Sequence, residues 1–315
     1  MKNTPRIIYM GTPEFSVPAL ERLVFQKDFT VCLVVTQPDR PKGRGKNLMP
    51  SPVKKAASEL GVEVFQPEKI NTPGSANKLL SLEPDFFVVS AFGQILSQTI
   101  LSIPKIYPIN IHASLLPKYR GPSPIQAAIL NMDDQTGITT MVMAKEMDKG
   151  DILLSKTTPI LENDTAEDLH RKLGEIGADL IVDTLHAVLK KECYPIAQDH
   201  SKASYVKMLK KIDGKIDWTL SSRKIKAHIN AMTPWPSAFS SLFDKPVKIF
   251  KTTAVEQPCP FDSGVIFLCD KAGIHVATGN GSIIIQEMMG ASGKRLKAAE
   301  FLCGHPIVPP LKFDF

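Results

Sequence analysis

The sequence lacks the features of several common protein classes. No apolar run in the 315 residues approaches the roughly 20 residues that a membrane-spanning helix needs, so we expect no membrane partner. Residues 1–10 contain no long apolar segment followed by a small-residue cleavage site, so no export signal is expected there, and they read instead as the first strand. We therefore expect a cytoplasmic protein.

Cysteine is scarce and scattered. The chain has five cysteines, and none has the spacing of a Cys-x-x-Cys pair or of a Cys/His zinc site. Without an export signal, this usage indicates reduced thiols and predicts no metal site. The positions are Cys32, Cys193, Cys259, Cys269 and Cys303.

The glycine patterns that bind nucleotide phosphates are also missing. Gly11-Thr-Pro13 follows the first predicted strand, but the later glycines of a dinucleotide-binding Gly-x-Gly-x-x-Gly are absent. Gly43, Gly45 and Lys46 do not have the spacing of a Walker-type Gly-x-x-x-x-Gly-Lys-Ser/Thr loop. These absences disfavour a nicotinamide or flavin oxidoreductase and disfavour ATP chemistry.

Positive charge is concentrated in the last third of the chain. Residues 206–315 contain 15 Lys/Arg and 9 Asp/Glu, whereas residues 1–205 contain 23 of each. This asymmetry predicts that a polyanionic partner docks on the C-terminal part. A second basic run, residues 40–46 with Lys54 and Lys55, has six bases and no acid. Taken alone, that run is more simply a solvated surface loop.

Strand and helix patterns alternate through the first two thirds. The alternation predicts an α/β fold with a doubly wound, mostly parallel, Rossmann-like sheet covered by helices on both faces. We expect Asn163 or Asp164 to cap the last helix of this part, with Glu167 as the reciprocal partner. Predicted strands are 6–10, 31–36, 86–90, 106–112 and 136–143, and predicted helices are 15–25, 53–60, 76–82 and 165–191.

The pattern changes after residue 191. Residues 1–191 form the predicted catalytic domain, 192–208 a linker, and 209–315 a small basic β-barrel domain of OB type. We expect the turn Thr278–Gly281 to close a hairpin, and both Trp218 and Trp235 to be core residues. Predicted strands of this domain are 246–253, 264–268, 274–277 and 282–288, with one helix near 222–232.

An amide and an imidazole lie at the end of one predicted strand. Asn110 and His112 are two residues apart, so an extended chain points both side chains to the same face. Pro117 cannot continue the ladder because proline has no N–H donor. The pair is therefore expected at the carboxyl end of the strand, which is where open α/β sheets bind ligands.

A carboxylate in a later loop is the third candidate. Asp148 lies in Met147-Asp-Lys-Gly-Asp151, where Gly150 lets the chain turn back toward Asn110 and His112. A carboxylate near an imidazole fixes its orientation and favours its protonated form. Two alternatives stay open on spacing alone: His112 is a structural histidine, or Asp148 and Asp151 only decorate a turn.

The ordered set of motifs in both domains resembles the folate-dependent formyltransferases. No single tripeptide is specific, but the set spans nearly the whole chain and is similar to members that act on methionyl initiator tRNA. The motifs are Gly11–Phe15, Thr36–Pro41, Gly43–Lys46, Leu48–Lys54, Asn110–Pro117 with Arg120-Gly121, Asp148–Asp151, Ile216–Trp218 and Pro234–Pro236.

The resemblance implies an activity, a co-substrate and a partner. Members transfer a formyl group from 10-formyltetrahydrofolate to the α-amine of methionine on initiator tRNA, for translation initiation, and release tetrahydrofolate. They have a formyltransferase domain, a linker and an OB-like domain that contacts tRNA, and they act as monomers.

The resemblance also implies roles for individual residues. Its catalytic Asn, His and Asp correspond to Asn110, His112 and Asp148, with the first two stabilising a tetrahedral intermediate and the third supporting the histidine. The chain departs from the usual pattern at Gly121–Pro124 and at Phe92, where a tyrosine hydroxyl is more usual. The implied folate-binding residues are Ser114, Leu115, Leu116, Pro117, Phe92, Gly93, Gln94 and Ile95, and the implied tRNA-binding residues are Lys42, Arg44 and Lys46.

Other functions share parts of this pattern. Glycinamide ribonucleotide and nucleotide-sugar formyltransferases have the same Asn/His/Asp core, but the former lack a basic C-terminal domain and the latter are commonly fused to other enzymes. A hydrolase of formyl-folate would use water as the acceptor. A non-catalytic RNA-binding protein would keep only the scaffold, which the presence of all three candidate catalytic residues argues against.

Overall fold

The structure is a computed structural model that describes residues 4–42 and 47–313. It divides into two compact units. The first unit contains Met1–Pro124, Thr136–Thr158 and His170–Val206, and the second contains Ile125–Gln135, Pro159–Leu169 and Lys207–Phe315. No helix of the described residues is long and apolar enough to cross a membrane.

The first sheet has seven strands in the order β5-β2-β1-β6-β7-β8-β9. The strands from β5 to β7 are parallel, and β8 runs antiparallel to β7. This confirms the predicted mostly parallel α/β sheet. A separate hairpin pairs β3 with β4. The strands are β1 Arg6–Gly11, β2 Thr30–Val35, β3 Arg40–Lys42, β4 Asn47–Met49, β5 Val64–Phe65, β6 Phe86–Ser90, β7 Tyr107–His112, β8 Gln135–Val142 and β9 Ile152–Pro159.

Side-chain caps and prolines define where several helices of this part begin. Ser51 and Thr72 accept hydrogen bonds from the backbone amides of Lys54 and Ser75, and each is followed by a proline in the first helical turn. The helices are α1 Val17–Val24, α2 Pro52–Glu59, α3 Pro73–Ser81, α4 Gln98–Leu101, α5 Pro124–Leu130 and α6 Ala166–Leu189.

The predicted cap of α6 is wrong by one residue. Thr165 is the cap, because its Oγ1 accepts from the Asp168 amide (3.2 Å) while the Asp168 carboxylate accepts from the Thr165 amide (3.1 Å). A Thr/Asp pair three residues apart thus satisfies two donors that the first helical turn leaves open.

The second sheet is antiparallel, in the order β10-β11-β14-β13-β12-β16, with β15 paired to β14. It is consistent with the predicted OB-like domain. The hairpin turn is confirmed, because the Thr278 amide donates to the Gly281 carbonyl (3.0 Å) between β13 and β14. The elements are α7 Ser222–Met232, β10 Ala238–Leu242, β11 Lys245–Val255, β12 Val265–Asp270, β13 Gly273–Ala277, β14 Ser282–Met289, β15 Arg295–Lys297, α8 Ala298–Gly304 and β16 Leu311–Lys312.

The two tryptophans differ in burial. Trp218 is fully buried as predicted, donates its indole N–H to the Ser240 hydroxyl (3.1 Å) and stacks on Phe313. Trp235 is 52% exposed, so the prediction of a core role is wrong for it. It lies in the short connection between α7 and β10, where no strand or helix carries it into the core.

Candidate active site

Asn110 and His112 are the last polar side chains of β7. The strand ends at His112, and it lies between β6 and β8, with Asn110 opposite Val89 and His112 opposite Thr139. Because β1, β6 and β7 are parallel, their carboxyl ends meet at one edge of the sheet. The side-chain amide of Asn110 makes no hydrogen bond to another described residue, so its two N–H donors are available to a ligand.

The buried His112 ring has two different environments. Its Nε2 lies 3.0 Å from the Tyr119 carbonyl oxygen, and its Nδ1 lies 3.7 Å from Asp148 Oδ1. A carbonyl oxygen can only accept, so Nε2 carries a proton. The Nδ1 distance is that of an ion pair and exceeds a direct hydrogen bond. Nδ1 is therefore the ring nitrogen that faces the carboxylate.

Asp148 is held in an unusual backbone conformation. Its φ is +54°, a left-handed value that only a few per cent of non-glycine residues adopt. Its Oδ2 accepts a hydrogen bond from the Gly121 amide (2.8 Å). The Asp148 carboxylate approaches His112 as predicted. The reason for glycine at position 150 differs from the sharp turn that we expected. A Cβ on Gly150 would lie 1.8 Å from the Val142 carbonyl oxygen, so this glycine permits close approach of two segments.

The predicted folate-binding loop after β7 is folded against β8. Thr139 Oγ1 donates to the Ser114 carbonyl (2.7 Å) and accepts from the Leu116 amide (3.1 Å). The Ser114 hydroxyl is buried and donates to the Lys118 carbonyl (2.6 Å). Leu115 and Pro117 are half-buried, so these two present the accessible side chains of the segment.

The second predicted folate-binding segment, residues 92–95, also contains both buried and accessible residues. The Phe92 ring is 2% exposed within an apolar cluster, and the Gln94 side chain bonds the Ile70 amide and the Pro67 carbonyl. Gly93 is exposed, and Ile95 is 71% exposed. The surface that this segment offers to a ligand therefore consists of Gly93 and Ile95.

The predicted tRNA-binding residues cannot be placed. Arg44 and Lys46 lie outside the described residues, as does the side chain of Lys42. Flanking residues form the β3–β4 hairpin, in which Arg40 pairs with Met49.

Sequence reasoning missed two polar residues that support this site. Thr139 lies opposite His112 and holds the loop after β7. Its position in the predicted strand 136–143 was the only feature of the sequence that could have indicated this role. Gln198 lies in the predicted linker, yet its side-chain amide donates to the Asp148 carbonyl (2.9 Å). No local pattern marks Gln198, because its partner is 50 residues away in the chain.

Two family descriptions match the chain. The family described as formyl transferase matches residues 6–185, and the formyl transferase C-terminal domain matches residues 208–306. The chain therefore belongs to the formyl transferase family, as the motifs predicted.

Curated relatives of this chain are methionyl-tRNA formyltransferases. The protein of that name from Citrifermentans bemidjiense is 45% identical over 305 residues, covering 96% of this chain and 95% of the relative. The one from Geobacter sulfurreducens is 44% identical over 304 residues, with 96% and 95% coverage.

Solved structures share the fold at low identity. HypX from Aquifex aeolicus, solved with tetrahydrofolic acid, has a TM-score of 0.63 at 16% identity and matches 99% of this chain. This chain spans about half of HypX, 51% of its length. An N-formyltransferase from Helicobacter canadensis, solved with folinic acid and dTDP-3-aminofucose, has a TM-score of 0.66 at 22% identity, covering 89% of this chain and 98% of that one.

Replacing Thr139 tests how the loop after β7 is held. In Thr139→Val, the Ser114 carbonyl loses its donor and the Leu116 amide loses its acceptor in a buried place. We expect the free energy of unfolding, measured in urea, to fall by about 1–3 kcal/mol. Thr139→Ser is the matched control, because it keeps the hydroxyl and should stay within about 1 kcal/mol of wild type. An equal loss in both variants would mean that the methyl group, and not the hydroxyl, supports the loop.

Proposed function

We propose that this protein transfers the formyl group of 10-formyltetrahydrofolate to the α-amine of methionine on charged initiator tRNA. The observation that carries the proposal is the grouping of Asn110, His112 and Asp148 at the carboxyl edge of the sheet, in a chain 45% identical to a methionyl-tRNA formyltransferase. A cytoplasmic monomer that acts in translation initiation is part of the proposal.

The reaction needs a polarised formyl oxygen and one net proton transfer. The neutral amine attacks the formyl carbon, a new C–N bond forms, and negative charge develops on the formyl oxygen. The intermediate then collapses as the bond to folate N10 breaks. The proton lost by the amine balances the one gained by N10. An α-amine has an ordinary pKa of about 7.7–8.0, so a neutral fraction exists near neutral pH without a strong base.

Asn110 and His112 are the proposed donors to the formyl oxygen. The side-chain amide of Asn110 has no hydrogen-bond partner among the described residues. A preorganised donor at such a position contributes about 3–4 kcal/mol to stabilising the transition state. The Nε2 of His112 is already used by the Tyr119 carbonyl. Protonated Nδ1 is therefore the donor that we assign to the reaction.

Asp148 supports His112 and the proton transfer. Its Oδ1 faces His112 Nδ1 at 3.7 Å, so the carboxylate lies beside the ring nitrogen that we assign as the donor. Its other oxygen is fixed by the Gly121 amide, so the carboxylate cannot rotate freely. We assign to Asp148 the relay of the proton from the amine to folate N10, through a water molecule that spans the gap.

The folate is assigned to the surface formed by the two predicted folate-binding segments, residues 92–95 and 114–117. Both contribute accessible residues, Gly93 and Ile95 from one and Leu115 and Pro117 from the other. Ser114, Phe92 and Gln94 direct their side chains into the protein, so we assign them to the support of this surface. The missing hydroxyl at Phe92 then has little consequence for folate contact.

The tRNA is assigned to the basic run of residues 40–46 and to the basic second domain. Residues 206–315 contain 15 Lys/Arg against 9 Asp/Glu, and in this proposal the surplus of basic residues neutralises phosphates of the tRNA. In this proposal, Lys42, Arg44 and Lys46 add positive charge near the acceptor end of the tRNA.

Substitution of Asp148 tests the proposed chemistry. We expect Asp148→Ala to lower kcat for formyl transfer to methionyl initiator tRNA by about 10²–10⁴-fold, because proton transfer and support of His112 are lost. Binding of the formyl-folate, measured by calorimetry, should change little.

Asp151→Ala is the matched control for this substitution. Asp151 is an exposed carboxylate in the same loop, and its contact to the Val142 amide is made by the backbone. It should keep near-normal turnover. Near-normal turnover of Asp148→Ala would remove Asp148 from the mechanism, and absence of transfer by the wild-type protein would refute the function.

Neutralising two residues of the basic run 40–46 tests the tRNA assignment. We expect the double variant Arg44→Gln/Lys46→Gln to weaken tRNA binding and to reduce the slope of log affinity against log salt by roughly 1.4–1.8, for two phosphate contacts. The control Lys190→Gln/Lys191→Gln removes the same charge from two exposed residues at the end of α6. An unchanged affinity and salt slope in the Arg44→Gln/Lys46→Gln variant would exclude these two residues from tRNA binding.

A further inference from the structure

We propose that Gln198 is a positioning residue for Asp148, and that the buried guanidinium of Arg120 fixes it in that role. This inference rests on the proposed function, because it concerns how the proposed catalytic carboxylate is presented. It starts from a buried charge that the mechanism above does not use.

Arg120 is 1% exposed and directs its guanidinium to several side chains of the segment 198–205. It donates to the Gln198 carbonyl oxygen from both Nε (3.1 Å) and one terminal nitrogen (2.7 Å). It also donates to the Tyr205 hydroxyl (2.9 Å) and to His200 Nδ1 (2.8 Å). None of these partners is a carboxylate. A buried cation held by neutral acceptors is an expensive arrangement, which points to a role for the geometry it imposes.

The guanidinium sets the orientation of the Gln198 amide. Arginine can only donate hydrogen bonds, so the Gln198 oxygen must face it and the NH₂ group must point the other way. That NH₂ group donates to the carbonyl oxygens of Asp148 (2.9 Å) and Gly150 (2.6 Å). Gln198 therefore clamps the two carbonyl groups of the turn that carries the candidate catalytic carboxylate.

The turn needs such a clamp because Asp148 has a left-handed φ of +54°. A residue in that conformation persists only when its surroundings over-determine it. Gln198 holds the Asp148 backbone, and the Gly121 amide holds its carboxylate (2.8 Å). Since Gly121 follows Arg120 directly in the chain, both constraints depend on the same residue pair.

The segment after Gln198 fixes Arg120 in turn. The Arg120 amide donates to the Ser204 carbonyl (2.9 Å), and the Val206 amide donates to the Arg120 carbonyl (2.8 Å). Only glycine fits at position 121 beside this segment, since a Cβ there would lie 2.3 Å from the Val206 carbonyl oxygen. Residues 198–206 thus contribute directly to the geometry of the candidate active site.

Two substitutions separate the donors of Gln198 from its acceptor. Gln198→Glu keeps an oxygen for Arg120, and gains an ion pair with it, but cannot donate to the Asp148 and Gly150 carbonyls. Gln198→Leu loses both functions. A misplacement of about 1 Å at a reacting group costs about 10²-fold in rate. We therefore expect both variants to lower kcat by about 10–100-fold, while KM for formyl-folate and for charged tRNA stays within about three-fold.

Hydrogen exchange provides a readout that does not depend on turnover. Peptides covering residues 145–151 should exchange faster in Gln198→Glu than in the wild type, measured at a temperature at which both proteins are fully folded. Gln98→Glu, a charge-matched change of an exposed glutamine on α4, should alter neither kcat nor this exchange.

The outcomes distinguish this inference from the proposed function. If the wild type transfers formyl and Gln198→Glu keeps normal kcat and normal exchange at 145–151, the positioning role is wrong and the function stands. If the Gln198 variants lose activity only through a lower melting temperature, or through KM, the role is likewise refuted. If the wild type has no transferase activity, the function fails, and the exchange experiment alone decides whether Gln198 clamps the turn.

Discussion

The candidate active site depends on how the protein holds one carboxylate. Asp148 adopts a left-handed backbone and points one oxygen at the Gly121 amide and the other at His112. His112 is itself fixed through Nε2 by the Tyr119 carbonyl, so the relative placement of imidazole and carboxylate is determined from both sides. His112, Tyr119 and Gly121 belong to the end of β7 and the segment after it, whereas Asp148 belongs to the segment that joins β8 to β9, so two segments distant in the chain meet here.

Much of the fold follows from local sequence. The strand 86–90 was predicted with its observed bounds because it is a continuous apolar run. The helix predicted near 222–232 is found at Ser222–Met232, where it begins after the cap Ser221. The strand β9 was missed, since three consecutive exposed residues interrupt its burial pattern. Trp235 was misjudged because residue type alone does not say which segment carries the side chain.

The candidate site was predictable only as far as local geometry reaches. Asn110 and His112 share a face because they are two residues apart on a strand, and the strand end follows from Pro117. The nitrogen of His112 that faces Asp148, and the left-handed φ of Asp148, depend on tertiary contacts. The contribution of Gln198 depends on a partner 50 residues away, for which the sequence contains no periodic signal.

The measurement that tests the account most directly is a formyl-transfer assay in which methionine-charged initiator tRNA competes with glycinamide ribonucleotide for 10-formyltetrahydrofolate. The account predicts formylation of the charged tRNA alone, with one tetrahydrofolate released for each formyl group transferred. Formylation of the small acceptor alone would keep the chemistry and contradict the tRNA assignment. Tetrahydrofolate release without either product would indicate a hydrolase, and the absence of any reaction would contradict the enzymatic function as a whole.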